Sequence, residues 1–100
     1  MGEKILQHKL NLKMGFFKTE AYILFITDEM IKLISVNRCS NKQVIIKLSD
    51  IKTVSISREL PVEIEIRTKQ EKFLGIFPKK EDISATISFL KMVLGENLVI

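Results

Sequence analysis

The chain has 100 residues, 46% of them apolar and 28% charged, which suits one globular domain and excludes both a two-domain protein and a disordered segment. Its net charge of +4 comes from 16 basic and 12 acidic residues spread along the whole sequence, whereas nucleic-acid-binding proteins cluster their basic residues. A single cysteine, Cys39, excludes an internal disulfide and a thiolate metal cluster. We therefore expect one domain over residues 1–100, with no nucleic-acid partner.

Targeting signals are not evident in the sequence. The longest apolar run, residues 21–26, is far shorter than the roughly 20 residues that span a bilayer. The first residues lack the apolar core and cleavage site of a secretory leader, and Leu6 stands where myristoylation requires serine or threonine. We predict a cytoplasmic protein that touches a membrane, if at all, only at its surface.

Through most of the chain, apolar and polar residues alternate with a period of two, the pattern of strands with one buried face. In the first segment Leu6, Leu10 and Leu12 share the inward face with His8, and Gly15 permits a turn. Residues 21–26 form a second strand that is apolar on both faces. A tight turn at 27–29 and a third strand over 30–36 follow.

Four more strands precede a change of period. A polar loop at 37–42 leads to a fourth strand over 43–48, and a fifth covers 51–58. Pro61 then opens the clearest alternation, with Val62, Ile64 and Ile66 directed to the core. A hairpin-length loop at 68–71 connects this sixth strand to a seventh over 72–77, so that strands occupy about residues 4–77.

The last part of the chain has the spacing of a helix. Ile83, Ile87, Leu90 and Leu94 lie four, three and four residues apart, which places them in one apolar stripe. Pro78 suits a first helical turn and Gly95 a stop, which predicts a helix over about 79–94. The apolar ending, residues 97–100, either packs on the sheet or belongs to a longer polypeptide.

Together these elements predict a mainly β fold with one α-helix. Seven short strands cannot lie flat and still cover their apolar faces, so they must curl into an antiparallel barrel or an orthogonal sandwich. The C-terminal helix is suited to cap the open mouth of that barrel.

Four segments of the sequence resemble the pleckstrin-homology-like (PH-like) superfold, most closely its GRAM and bacterial PH-like members. These segments are residues 21–35, 46–54, 64–69 and 77–82. The resemblance implies a seven-stranded barrel closed by one helix, and a module that binds lipids, peptides or proteins. Members that bind phosphoinositides carry a basic pattern across the first two strands. Here Thr19 and Glu20 stand where that pattern has an arginine, which favours a protein partner over a lipid.

Catalysis and metal binding find little support in the sequence. His8 is the only histidine, and no serine–histidine–aspartate grouping accompanies it as a general base would require. Glu63 and Glu65 share the solvent face of an alternating strand, and one histidine and one cysteine do not form a metal site. We predict no catalytic residue, cofactor, metal or small-molecule substrate, and a small enzyme is the least favoured alternative.

The ends of the predicted sheet differ in charge. In an antiparallel meander the first and third turns emerge at one end, and the second turn, with Asp28 and Glu29, lies at the other. The link after the fourth strand, with Asp50, should return to that same acidic end. The loop at 68–71 joins the first end in PH-like folds. The basic residues assigned to that end, which we call the basic rim, are Lys13, Lys18, Arg38, Lys42, Lys69 and Lys72. They are candidates for binding anionic lipid head groups, unless surface lysines segregate there by chance.

Phe16 and Phe17 have no clear place in the predicted core. These adjacent phenylalanines, flanked by lysines, are suited to enter a lipid interface or to contact a partner. The alternative is that Phe16 starts the second strand and packs under the helix.

A second apolar set, which we call the outer patch, consists of Ile23, Phe25 and Ile45, all directed outward by the alternation. Such a patch favours a protein partner or a homo-oligomer, unless lysine stems or a loop cover it. We therefore predict a non-catalytic binding or assembly module that contacts a protein or a second copy of itself. The alternative is a peripheral membrane adaptor that uses the basic rim.

Overall fold

A computed structural model describes residues 5–14, 18–37, 42–78 and 82–100. The strands are β1 (Leu6–Met14), β2 (Lys18–Ile26), β3 (Met30–Ser35), β4 (Gln43–Lys47), β5 (Ile51–Ser57), β6 (Glu63–Thr68), β7 (Lys72–Ile76) and β8 (Leu98–Val99). One helix, α1 (Ser84–Leu94), lies between β7 and β8, and two 3-10 turns cover Leu48–Asp50 and Gly95–Asn97. None of the helices in these described ranges has the length and hydropathy that a bilayer span requires.

All eight strands belong to one sheet in the order β4-β3-β2-β1-β7-β6-β5-β8. Every pair is antiparallel except β5 with β8. A flat sheet of eight strands would be about 34 Å wide but only about 10 Å thick. The molecule instead measures 33 × 31 × 29 Å, so the sheet curls around its own inner face. The mainly β fold with a C-terminal helix is therefore confirmed.

The core fills the inside of this curl. The strands contribute side chains that are almost fully buried. Among them are Leu24, Leu33 and Val54, together with Leu10, Ile64 and Ile66, which the alternation assigned to the inner face. The helix contributes Ile87, Leu90 and Leu94, and Ile83 directly before it is buried as well, so the predicted apolar stripe is confirmed. His8 on β1 and the fully buried Thr86 on α1 join helix to sheet through a hydrogen bond between Nε2 and Oγ1.

The helix begins later than the sequence predicted, at Ser84 rather than near residue 79. Ile83 has φ −104° and ψ 11°, outside the helical range. The Asp82 carboxylate accepts the backbone N–H of Ser84 at 3.0 Å, so it supplies an acceptor to the open N-terminal end of the helix. The sequence interpretation placed Asp82 inside the first turns of the helix, and therefore did not identify this role.

The chain ends in an eighth strand that the sequence analysis did not count. Gly95 adopts φ 56° and ψ −121°, a conformation that favours glycine because it has no Cβ. The turn sends the chain back to the sheet, where Leu98 and Val99 pair in parallel with Val54 and Ser55. Part of the apolar ending therefore packs on the sheet.

The two halves of the sheet meet where β1 crosses β7. Only two residue pairs are registered there, Asn11 with Ile76 and Leu12 with Gly75. A Cβ atom on Gly75 would lie 2.8 Å from Cγ, Cδ1 and Cδ2 of Leu10, too close for any real side chain. Glycine at this position therefore allows β7 to approach the buried Leu10 and close the curl.

Candidate binding site at the open edge of the sheet

β4 lies at one edge of the sheet, and in the described part of the chain it pairs only with β3. Its outward residues are exposed, and the central one, Ile45, retains 52% of its accessible surface. At the opposite edge of the sheet, β8 covers part of β5. An open edge with an apolar centre is a template for another strand, so β4 is a candidate site for a protein contact.

A cavity of about 260 Å³ lies beside this edge. We call it the edge cavity, and its lining consists of Val44, Ile45 and Ile46 of β4, Asp50, the β6–β7 turn from Thr68 to Glu71, and Phe73. The topology brings these parts together because β5 starts directly after Asp50 and its first residue, Ile51, is opposite Thr68. The β6–β7 turn is thereby held next to the end of β4.

The β6–β7 turn is fixed by its first residue. Thr68 Oγ1 accepts the backbone N–H of Gln70 at 3.3 Å and that of Glu71 at 3.0 Å. The N–H of Thr68 donates to the carbonyl of Glu71 at 2.9 Å. Threonine side chains commonly stabilise turns in this way, so this wall of the edge cavity is formed in advance of any ligand.

The charges around the edge cavity are mixed. Its lining includes one cationic side chain, Lys69, and two carboxylates, Asp50 and Glu71. Its volume lies below the roughly 300–1,000 Å³ of typical small-molecule sites. Within the described ranges, no three histidine, cysteine, aspartate or glutamate residues are grouped as a metal site would require. These features suit a short stretch of polypeptide better than a phosphate group or a metal ion.

The residues of the predicted basic rim have different surroundings in the structure. Lys13 forms an ion pair with Glu63, with Nζ and Oε1 3.5 Å apart. Lys18, Lys42 and Lys72 are exposed at the surface. Arg38 lies outside the described residues.

Lys69 was predicted at the basic end of the sheet and Asp50 at the acidic end, yet both line the edge cavity. The separation of charge into two ends was therefore wrong at this point. The reason is the curl, which a flat meander does not include: it brings the connection after β4 beside the β6–β7 turn.

The residues of the outer patch lie on β2 and β4, which are separated by β3. Phe25 is opposite Lys32 on β3, and Lys32 is opposite Ile45 on β4, so these three form one row across the sheet. Ile23 and Phe25 are half-buried, whereas Ile45 is exposed. Lys32 lies between the two apolar residues, where its stem can cover part of them. Phe16 and Phe17 lie outside the described residues.

Sequence reasoning identified Ile45 but missed most of the edge cavity. Asp50 was assigned to the acidic end of the sheet, and residues 68–71 were interpreted as a hairpin-length loop. The sequence did contain one signal for the β6–β7 turn, the threonine with which it starts. Thr27 starts the β2–β3 turn in the same way, and its hydroxyl accepts the N–H groups of Glu29 and Met30. Nothing in the alternation, however, indicates that this turn faces β4.

Comparisons with known proteins find similarity only at the level of structure. No protein family and no curated protein matches the sequence. The N-terminal PH domain of human ARAP2 superposes with a TM-score of 0.69 at 22% identity, over 90% of this chain and 78% of that one. The N-terminal PH domain of Vps36 gives a TM-score of 0.68 at 17% identity, over 93% and 80%.

A third similar structure is the Spt16D–Pob3N heterodimer, with a TM-score of 0.71 at 15% identity. That match covers 96% of this chain and 53% of the other. At these identities the chain shares the path of its backbone with the three structures. This agrees with the fold that the sequence resemblance implied. The chain has the pleckstrin-homology-like superfold.

Proposed function

We propose that this chain is a non-catalytic module that binds an extended protein segment along β4, with one side chain of that segment in the edge cavity. The observation that carries the proposal is the edge of β4, which no other strand of the described residues covers, with Ile45 exposed at its centre beside the edge cavity. A cytoplasmic location is part of this proposal.

The physical basis is the addition of a strand to an open sheet edge. The incoming segment forms main-chain hydrogen bonds with β4, which give affinity with little dependence on its sequence. Its side chains alternate between the two faces of the sheet, so every second one is directed to the edge cavity. With two carboxylates against one lysine in the lining, we expect that cavity to prefer a basic or neutral side chain.

A protein partner is favoured over an anionic lipid by the environment of the described lysines. Lys13 is paired with Glu63, and Lys69 shares the edge cavity with Asp50 and Glu71. Carboxylates so close to these cations reduce their attraction for a phosphate group. The membrane-adaptor alternative rests on the remaining residues of the basic rim and on Phe16 and Phe17, and co-sedimentation with vesicles that contain phosphatidylserine tests it.

The direct test selects peptides from a random display library with the purified chain and maps the binding site by amide NMR shifts. We expect the shifts to concentrate at residues 43–47 and 68–73. Ile45→Asp places a charge in the middle of the β4 edge and is expected to abolish binding. Met92→Asp on the exposed face of α1, where Met92 is 73% exposed, is the matched control and should bind normally. Shifts elsewhere, or binding to vesicles without binding to any peptide, would contradict the proposal.

A further inference from the structure

We infer that the segment that β4 accepts is β4 of a second copy of this chain, in an antiparallel pair with Ile45 on the two-fold axis. This inference rests on the proposed function, since it names the partner for the same edge. A two-fold axis is the commonest symmetry of protein dimers, and it pairs one surface with itself.

The sequence of β4 is self-complementary in this register. Ile45 faces the Ile45 of the second copy on the outer side of the sheet. On the inner side, Val44 faces the second copy's Ile46, and the two copies exchange this contact symmetrically. Val44 and Ile46 already line the edge cavity, so the incoming strand adds apolar surface where apolar surface is present. Directly opposed apolar side chains are the pairs that stabilise antiparallel strands.

The single charge of β4 also disfavours two of the neighbouring registers. Lys47 is the only charged residue of β4, and it faces the second copy's Gln43. The two Lys47 side chains then lie four residues apart along the strand, about 14 Å at 3.4 Å per residue, which exceeds the screening length of about 8 Å at physiological salt. A register centred on Ile46 would place Lys47 against Ile45, and one centred on Lys47 would oppose two like charges.

Dimerisation would also remove the open edge of each sheet, which is otherwise a risk for uncontrolled association. Each copy contributes only the five residues of β4, so the interface is small. We therefore expect a weak, reversible dimer with a Kd on the order of micromolar rather than nanomolar.

The test measures the Kd of the full chain by analytical ultracentrifugation between 1 and 500 µM, a range chosen around that expected affinity of roughly micromolar order. Gln43→Lys places a lysine opposite Lys47 and should weaken the dimer about fivefold, since two symmetric like-charge contacts form. Gln43→Glu places a carboxylate opposite Lys47 and should strengthen it by about the same factor. Opposite changes of the Kd are the result expected of this register, so equal effects of both variants would overturn the inference.

A cross-linking experiment checks the axis independently. In a Cys39→Ser background, Ile45→Cys should give a disulfide-linked dimer on treatment with diamide, whereas Met92→Cys should not. A monomer at 500 µM whose β4 still binds selected peptides refutes the second copy as partner and leaves the proposed function standing. A monomer without peptide binding refutes both. A dimer that links through Met92→Cys as readily as through Ile45→Cys refutes the pairing of β4 with β4.

Discussion

Replacing Gly75 by alanine is the most direct test of how this fold builds its candidate site. Gly75 lies on β7 opposite Leu12, at the crossing that joins the two halves of the sheet. The new Cβ would lie 2.8 Å from three carbon atoms of Leu10, a side chain that is only 1% exposed. Leu10 is thus enclosed by the core, and the new methyl group must displace it against its neighbours.

The size of the effect follows from two opposing contributions. Overpacking a buried site costs about 1–3 kcal/mol. Alanine in a strand also restricts the unfolded chain more than glycine does, which favours folding by roughly 0.5–1 kcal/mol. We therefore expect Gly75→Ala to lower the free energy of unfolding by about 1–2 kcal/mol, because the steric cost is the larger of the two. Urea denaturation followed by circular dichroism measures this change.

A double-mutant cycle with Leu10→Ala isolates the contact. Leu10→Ala alone should cost about 2–5 kcal/mol because it leaves a cavity. In the double variant, the methyl group that Gly75→Ala adds occupies part of that space. The destabilisation of the double variant should therefore be about 0.5–3 kcal/mol smaller than the sum of the two single effects. Strict additivity, or a Gly75→Ala variant as stable as the wild type, would refute the assignment of Gly75 to the β1–β7 crossing. Ser88→Ala, on the exposed face of α1, serves as the control for an unrelated substitution.

Three further variants test the elements that end or border the site. Gly95→Ala should lower the free energy of unfolding by about 1–3 kcal/mol. The cause is backbone strain alone, because the added Cβ has open space around it. Unchanged stability in thermal denaturation would contradict the assignment of strain to this position. Thr68→Val should lower the free energy of unfolding by about 0.5–1.5 kcal/mol, because it removes the acceptor of two turn N–H groups. It should also weaken peptide binding at the edge cavity, which a peptide titration measures. Unchanged binding would show that the turn is not part of the site. Hydrogen bonds from Ser84 hold the pKa of the Asp82 carboxyl below its ordinary value of 3.8. Its stabilising effect is therefore complete above that value and is lost as the pH falls through the lower pKa of the folded state. The stability difference between wild type and Asp82→Ala should be present at pH 7 and shrink below about pH 4, and a difference that does not depend on pH would contradict the assignment.

Local patterns predicted the strands and the core because each strand buries one face, and this requirement appears directly as alternation in the sequence. Leu10, Ile64 and Ile66 were assigned to the core on that basis and are buried. The stripe on α1 was equally visible, since a helix that covers a sheet repeats its apolar residues every three to four positions. The start of the helix was not visible, because Asp82 is compatible both with a first turn and with a cap.

The sequence by itself determined the order of the elements, their inner faces and the outward position of Ile45, because these depend on neighbours along the chain. Only the tertiary structure decided that β4 pairs on one side alone within the described residues, that β8 covers part of the opposite edge of the sheet, and that Lys69 and Asp50 line the same cavity. These features depend on how far the sheet curls, which is set by contacts between distant strands such as that of Gly75 with Leu10. A periodicity of two defines which face of a strand is buried, but it does not indicate which distant strands come together when the sheet curls.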